Sequence, residues 1–207
     1  MPRPFAIAAI CLLALGGCAS MSKSQCLAND WETVGYRDGL SGTQSSALMQ
    51  HQNACMKHDV VPDRQAYLAG WREGVEQYCQ PANGFAAGER GAGFSNVCPA
   101  HLQGSFHAAY RDGRQLYLAQ SEINSLVSAI NQREQRLREV KSELAGIAGG
   151  MLDGETTTAD RAAMLLTAKD LAQEQGRLES EIDDLQAEVA VKSERLEHLR
   201  HSLAFAD

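Results

Sequence analysis

Three short runs set a ring, a guanidinium and a carboxylate side by side: Val34-Gly35-Tyr36-Arg37-Asp38-Gly39, Ala69-Gly70-Trp71-Arg72-Glu73-Gly74 and Ala108-Ala109-Tyr110-Arg111-Asp112-Gly113. A flat aromatic face beside a hydrogen-bonding cation suits stacking on cell-wall glycan or another small ligand. Tyr36, Arg37, Trp71, Arg72, Tyr110 and Arg111 are therefore candidate ligand-binding residues. The competing role is structural, with the rings in a core and the arginines paired to acids of neighbouring repeats. For catalysis the candidates are Asp38, Glu73, Asp112 and His107, since carboxylates at matching repeat positions could act as a pair in glycan cleavage. No nucleophile motif and no cofactor loop accompanies them, so the expectation is a non-enzyme without catalytic residues or cofactor.

Cysteine carries the next chemistry. Met1–Gly17 has one early cation, Arg3, then an apolar run from Phe5 to Leu15 that is too short to span a bilayer, and so reads as an export signal. Its end, Leu15-Gly16-Gly17-Cys18, resembles the bacterial lipoprotein box, in which small residues precede a cysteine that is acylated and becomes the first residue. The resemblance implies lipid attachment at Cys18 and, with Ala19 rather than an aspartate following, sorting to the outer membrane facing the periplasm. Several acyl chains, at about 0.8 kcal/mol per buried methylene, make a stable anchor. Cys11 is lost with the signal, which leaves Cys26, Cys55, Cys79 and Cys98 in an oxidising compartment, enough for two disulfides. Three pairings are open. Cys26 with Cys55 and Cys79 with Cys98 is the favoured one, because each bridge would tie the end of one helical segment to the start of a neighbour. A metal site would draw on Cys55 with His58, Cys98 with His101, His51 and His107. Zinc needs thiolates that an oxidising compartment removes, so no metal is expected.

The elements that must position these residues are helical. The three runs recur at a spacing of about 35 to 39 residues, and small residues four apart, as at Gly35 and Gly39 or Ala66, Gly70 and Gly74, share one helical face and permit close backbone approach. Tyr67 with Trp71 and Phe106 with Tyr110 form aromatic stripes at the same spacing. A looser echo, Phe85-Ala86-Ala87-Gly88-Glu89-Arg90-Gly91, reads mostly as a loop.

Past Leu116 the pattern changes to heptads. Ile123, Ile130, Leu137 and Leu144 recur every seven residues, with Leu126, Val140 and Ile147 between them and Arg133 the one charged seam position. Gly149, Gly150 and Gly154 mark a reversal, and Thr157 with Asp160 a capping box that starts a second arm through Met164, Leu171, Leu178, Leu185 and Leu199. So short a connection makes the arms antiparallel. Setting Arg133 against the polar Gln175 places Leu144 opposite Met164 and Leu137 opposite Leu171. The expected fold is all-α, a small disulfide-tied head with Gly-rich repeats continuing into a long antiparallel coiled-coil hairpin. Its parts are a signal peptide over 1–17, a tether over 18–25, the head over 26–117 and the hairpin over 118–207, with its turn near 149–158.

The Cys, Gly and Trp order makes the head recognisable. Cys26, Trp31 to Gly42, Cys55, Tyr67 to Trp71, Tyr78-Cys79, Pro81 to Gly84, Cys98-Pro99 and Tyr110 to Arg114 together resemble the domain of unknown function 2799 family of uncharacterised bacterial lipoproteins, over residues 26–117. The resemblance implies no activity and no catalytic residue to carry over. Formal charge is −7, and from Leu118 onward 17 acids face 10 bases, so nucleic acid is not an expected partner. What remains is a non-enzymatic outer-membrane lipoprotein, a structural or protein-interaction module that sits on the membrane through its lipid and meets an envelope protein partner through the coiled coil. Glycan or small-ligand binding by the aromatic, Arg-rich head is the alternative.

Overall fold

A computed structural model describes residues 21–203. The signal segment, Cys11, Cys18 and the first tether residues lie outside the described residues. Within them the chain forms seven α-helices and one 3-10 turn, and no strand. The helices are α1 (Lys23–Ala28), α2 (Trp31–Leu40), α3 (Ala47–Cys55), α4 (Arg64–Tyr78), α5 (Pro81–Glu89), α6 (Ala100–Leu152) and α7 (Thr158–Ser202), with the 3-10 turn Met56–His58 after α3.

Local chemistry sets the starts. Ser22 and Gln25 make a reciprocal capping box at α1, which begins inside the segment read as tether. Asp30 caps α2 through the Thr33 N–H, and Asp63 caps α4 through the Ala66 N–H. The hydrogen bonds from Thr33 hold the Asp30 carboxyl below its ordinary value. Pro81 opens α5, where its missing N–H would have had no helical partner anyway. Thr157 caps α7 by accepting from Asp160 N, while its own hydroxyl donates to the Asp160 carboxylate at 2.6 Å.

Two expectations about loops are corrected. Gly149 and Gly150 do not end the first arm but lie within α6, and the reversal comes at 153–157. Each glycine costs the helix about 1 kcal/mol, but Met164 packs its Cε against Gly150, and Thr156 donates from its hydroxyl to the Gly150 carbonyl at 2.8 Å. The echo at 85–91 is likewise not mostly loop, since Phe85–Glu89 belong to α5.

The chain divides into two compact units. The first holds the described residues up to Cys79 together with Ser95–Leu102, and the second holds Gln80–Phe94 and the described residues from Gln103 on. In the first unit Cys26, Trp31, Cys55 and Tyr67 form the core, and Cys26 is bonded to Cys55 and Cys79 to Cys98. Complete burial of side chains this size contributes about 1.5 to 3 kcal/mol each, and each bridge typically about 2 to 4. The unit's central contact is α2 on α4. A Cβ added to Gly35 or Gly39 would strike the carbonyls of Tyr67 or Trp71, and one added to Gly70 or Gly74 those of Glu32 or Tyr36.

The second unit repeats this contact with α5 and α6. A Cβ on Gly84 or Gly88 would strike the carbonyls of Phe106 or Tyr110, and one on Gly113 that of Phe85. Each first helix ends alike, at Gly42 with φ +72° under the Tyr78 ring and at Gly91 with φ +70° under the Tyr117 ring. The closing hydrogen bonds match too, Thr43 N to Asp38 O at 2.9 Å and Ala92 N to Ala87 O at 3.0 Å. In both, the contacts advance in the same direction along the two helices, Gly35 and Gly39 at Tyr67 and Trp71, Gly84 and Gly88 at Phe106 and Tyr110, so the repeated unit is a parallel helix pair present twice. The first and third runs of the sequence are not successive copies of one helix: α2 corresponds to α5, and α4 to the start of α6.

Beyond Gly113, α6 continues as one arm of a hairpin with α7. Leu116, Ile123 and Leu196 share one cluster, and Val140, Leu171 and Leu178 another. The expected register is not the observed one. Arg133 donates to Glu181 at 2.7 Å, Lys192 donates to Glu122 at 2.7 Å, and Gly150 meets Met164. Each of these α7 partners lies six residues beyond the one that the Arg133–Gln175 alignment assigns, and Gln175 instead bonds Glu179 on its own helix. A heptad pattern slid by nearly one period still sets apolar row on apolar row, so the pattern alone leaves the choice open. Arg133 decides nothing, because its long side chain leaves the seam and finds a carboxylate at the rim. Further along, Arg136 grips Glu174 with two nitrogens at 2.9 and 3.0 Å.

Candidate functional site

The first unit gathers its polar side chains around Asp38. His51 on α3 and the Tyr67 hydroxyl on α4 both reach Asp38 Oδ2, at 2.7 and 2.6 Å, so a single α2 carboxylate ties three helices. Burial works against its charge, but the hydrogen bonds from His51 and Tyr67 outweigh burial and hold the carboxyl below its ordinary value. Burial, reinforced by Asp38, pushes the Tyr67 phenol up, so Tyr67 stays a neutral donor. Carboxylate, imidazole and phenol are spent on one another, which makes this a clamp on the helices. The sequence reading named Asp38 and His51 separately and missed that they meet; their separation of 13 residues crosses a loop and carries no periodic signal.

Of the candidate binding residues, Tyr36, Arg37, Trp71 and Arg72 belong to the first unit, and Tyr110 and Arg111 to the second. Arg37, Arg72 and Arg111 are exposed, and the ion pairs of the described residues do not include them, so the expected pairing between repeats does not form. Glu73 is exposed, and Asp112 accepts only a long bond from Gln115 at 3.4 Å. Cys55 and Cys98 are in disulfides and offer no thiolate. His107 packs its ring edge-on against Phe94 at 4.0 Å.

The two matching rings, Trp71 and Tyr110, are held in the same way. Trp71 Nε1 donates to the Thr43 carbonyl at 2.8 Å, and the Tyr110 hydroxyl donates to the Ala92 carbonyl, also at 2.8 Å. Their surroundings differ. In the second unit Phe94 lies against Tyr110, with centroids 5.3 Å apart and the rings at 69°. In the first unit a pocket of about 340 Å³ opens at Trp71, lined by Gln44, Ser45, Ser46, Asn96 and Val97. One wall is the turn that leads into α3, and the other is the 95–98 segment, pinned by the Cys79–Cys98 bridge and by the Ser95 hydroxyl on the Gly42 carbonyl.

In the second unit two further surfaces stand out. Near the hairpin tip a groove is lined by Ile147, Asp153, Thr156, Asp160 and Met164, and Leu152, Leu165 and Leu166 are 87, 61 and 67 % exposed. At the other end of the arms a cleft of about 800 Å³ is lined by Leu118, Glu122, Lys192, Arg195 and Leu199. No described helix is long and apolar enough to cross a membrane.

Fold and site together define an all-helical, disulfide-bonded protein built on a duplicated pair of parallel, glycine-packed helices. Residues 30–115 match the family model described as protein of unknown function (DUF2799). The match opens at the cap of α2 and closes two residues past Gly113, so it covers the glycine contacts of both helix pairs. No curated protein and no solved structure shows significant similarity to the chain.

Proposed function

We propose that the protein is a non-enzymatic lipoprotein of the outer membrane, anchored through Cys18, whose helical hairpin is a structural or protein-interaction module in the periplasm. The anchor rests on the signal-like run and the Leu15-Gly16-Gly17-Cys18 box. The observation that carries the interaction role is the hairpin tip, where Leu152, Leu165 and Leu166 stay exposed at the end of helices of 53 and 45 residues. Helix surface that serves only as a solvated spacer has no use for three leucines in water.

A photo-crosslinking residue at Leu166, in cells making the full chain, tests the reading. Recovery of one defined envelope protein, lost when 149–158 is replaced by a minimal turn, is the expected result. Cells that tolerate the shortened tip and yield no adduct would overturn the interaction role. The anchor is tested separately by labelling with a palmitate analogue, where a Cys18→Ser chain that labels as well as the parent would rule it out.

A further inference from the structure

We propose that the Trp71 pocket is a binding site for a neutral glycan. The comparison within the molecule carries the argument. Phe94 stands three residues past Gly91, and Ser45 three residues past Gly42, so the two hold equivalent places after equivalent helix ends. In the second unit the molecule's own Phe94 stands at that place, T-shaped against the Tyr110 ring with centroids 5.3 Å apart. In the first unit the aromatic ring is kept, held by the same kind of bond to a carbonyl, but serine stands in place of phenylalanine and a pocket opens beside the ring. The first unit therefore sets beside open space a ring that its sister sets against Phe94.

What surrounds the ring selects the ligand class. Gln44, Ser45 and Ser46 supply an amide and two hydroxyls, Val97 an apolar edge, and no charged side chain lines the pocket. The Ser46 side chain makes no cap bond at α3, so its hydroxyl is not spent on its own helix. A pyranose ring presents the complement, an apolar C–H face for the indole and rim hydroxyls for neutral donors and acceptors. A phosphate or a carboxylate would find no cation there. The disulfide and the Ser95 bond hold the 95–98 wall in place, which lowers the ordering cost of binding. This narrows the ring-and-arginine site expected from the sequence to one ring with neutral partners, since Arg37 and Arg72 are not among the lining residues. It lies in the first unit and stands or falls apart from the hairpin reading.

The test is calorimetric titration of the full chain in detergent with the tetramer of N-acetylglucosamine and with maltotetraose. Saturable binding of at least one, with a dissociation constant on the order of 1 mM or tighter, is expected. Ser45→Phe, which copies the phenylalanine of the second unit, should weaken that binding by at least about tenfold without lowering the melting temperature. Trp71→Phe, which keeps a ring but loses the N–H to Thr43, should weaken it less. No saturable binding of either sugar overturns the proposal, as does equal binding by the parent and Ser45→Phe chains. Preference for a phenylalanine-containing tripeptide over both sugars would assign the pocket to a protein partner and overturn the glycan assignment.

Discussion

Replacing Gly39 by alanine should lower the stability of the first unit, although the same replacement in most helices raises it. Alanine gains about 1 kcal/mol over glycine in a helix interior. At Gly39 the added methyl would meet the Trp71 carbonyl, with Val75 N at 2.8 Å and the Gly74 carbonyl carbon at 3.1 Å, where comfortable contact begins near 3.4 Å. All three obstacles are backbone, so no rotamer change relieves them, and α2 and α4 must move apart. Overpacking of a close contact costs about 1 to 3 kcal/mol and sometimes more. With rigid backbone on both sides the upper end applies, so the net loss should be about 2 kcal/mol. For a unit of this size that lowers the melting temperature by on the order of 10 °C. The control is Gly176→Ala in α7, where the new methyl meets nothing within 4 Å and should add up to about 1 kcal/mol. Thermal melts by circular dichroism, with hydrogen exchange resolved to α2 and α4, read both. A Gly39→Ala protein that melts at or above the parent would refute the argument from close approach.

The remaining predictions concern the bridges and the hairpin. Peptide mapping without reduction should recover Cys26 joined to Cys55 and Cys79 joined to Cys98, and reduction should destabilise the first unit by roughly 2 to 4 kcal/mol per bridge while α7 keeps its exchange protection; any other pairing would contradict the fold. Arg133→Glu and Glu181→Arg should each lower hairpin melting and together restore most of it; restoration by Arg133→Glu with Gln175→Arg would instead support the alternative register. The pairs also set a pH dependence. Glu174 is held below the ordinary carboxylate value by Arg136, Glu179 by Gln175 and then Lys141, and Glu181 by Arg133 and then Arg177. A lowered folded value means that the stabilisation is complete above the unfolded value near 4.5 and is lost as pH falls through the folded one. Lys192, raised by Glu122, behaves oppositely and loses its contribution as pH climbs past 10.5. Hairpin melting should therefore be flat at neutral pH and decline in acid, and an unchanged melt well below pH 4.5 would count against these pairings.

Much of the architecture was legible in the chain because it is written in local patterns. The rows through Ile123, Ile130, Leu171 and Leu178 announce two helices that share a seam, and Thr157 announces where the second begins. Register was not legible, because a periodic pattern fits itself at several offsets and the one polar coincidence involved a side chain long enough to leave the seam. The helix α5 was obscured for a different reason. Gly84 and Gly88 weaken it as an isolated helix, and what holds it is the approach of α6, whose contacting residues lie 22 or more positions along the chain. At the site, the rings were visible and their settings were not. That Trp71 borders a pocket while Tyr110 meets the Phe94 ring depends on Ser45 and Phe94, which lie in loops with no common motif and become comparable only once Gly42 and Gly91 are seen to end equivalent helices.

The continuity of α6 restricts how this molecule could be lengthened. One unbroken helix carries the glycine face that meets α5 and the apolar row that meets α7. Each residue inserted between Gly113 and Ile123 would turn the second set of contacts by about 100° relative to the first. One or two insertions would thus point the row for α7 away from its partner, and no loop lies between them to absorb the error. Seven residues restore the phase to within about 20° and add about 10 Å. The reach of the hairpin is therefore graduated in heptads, and a relative with a longer or shorter arm should differ by whole multiples of seven on α6, matched by the same number on α7.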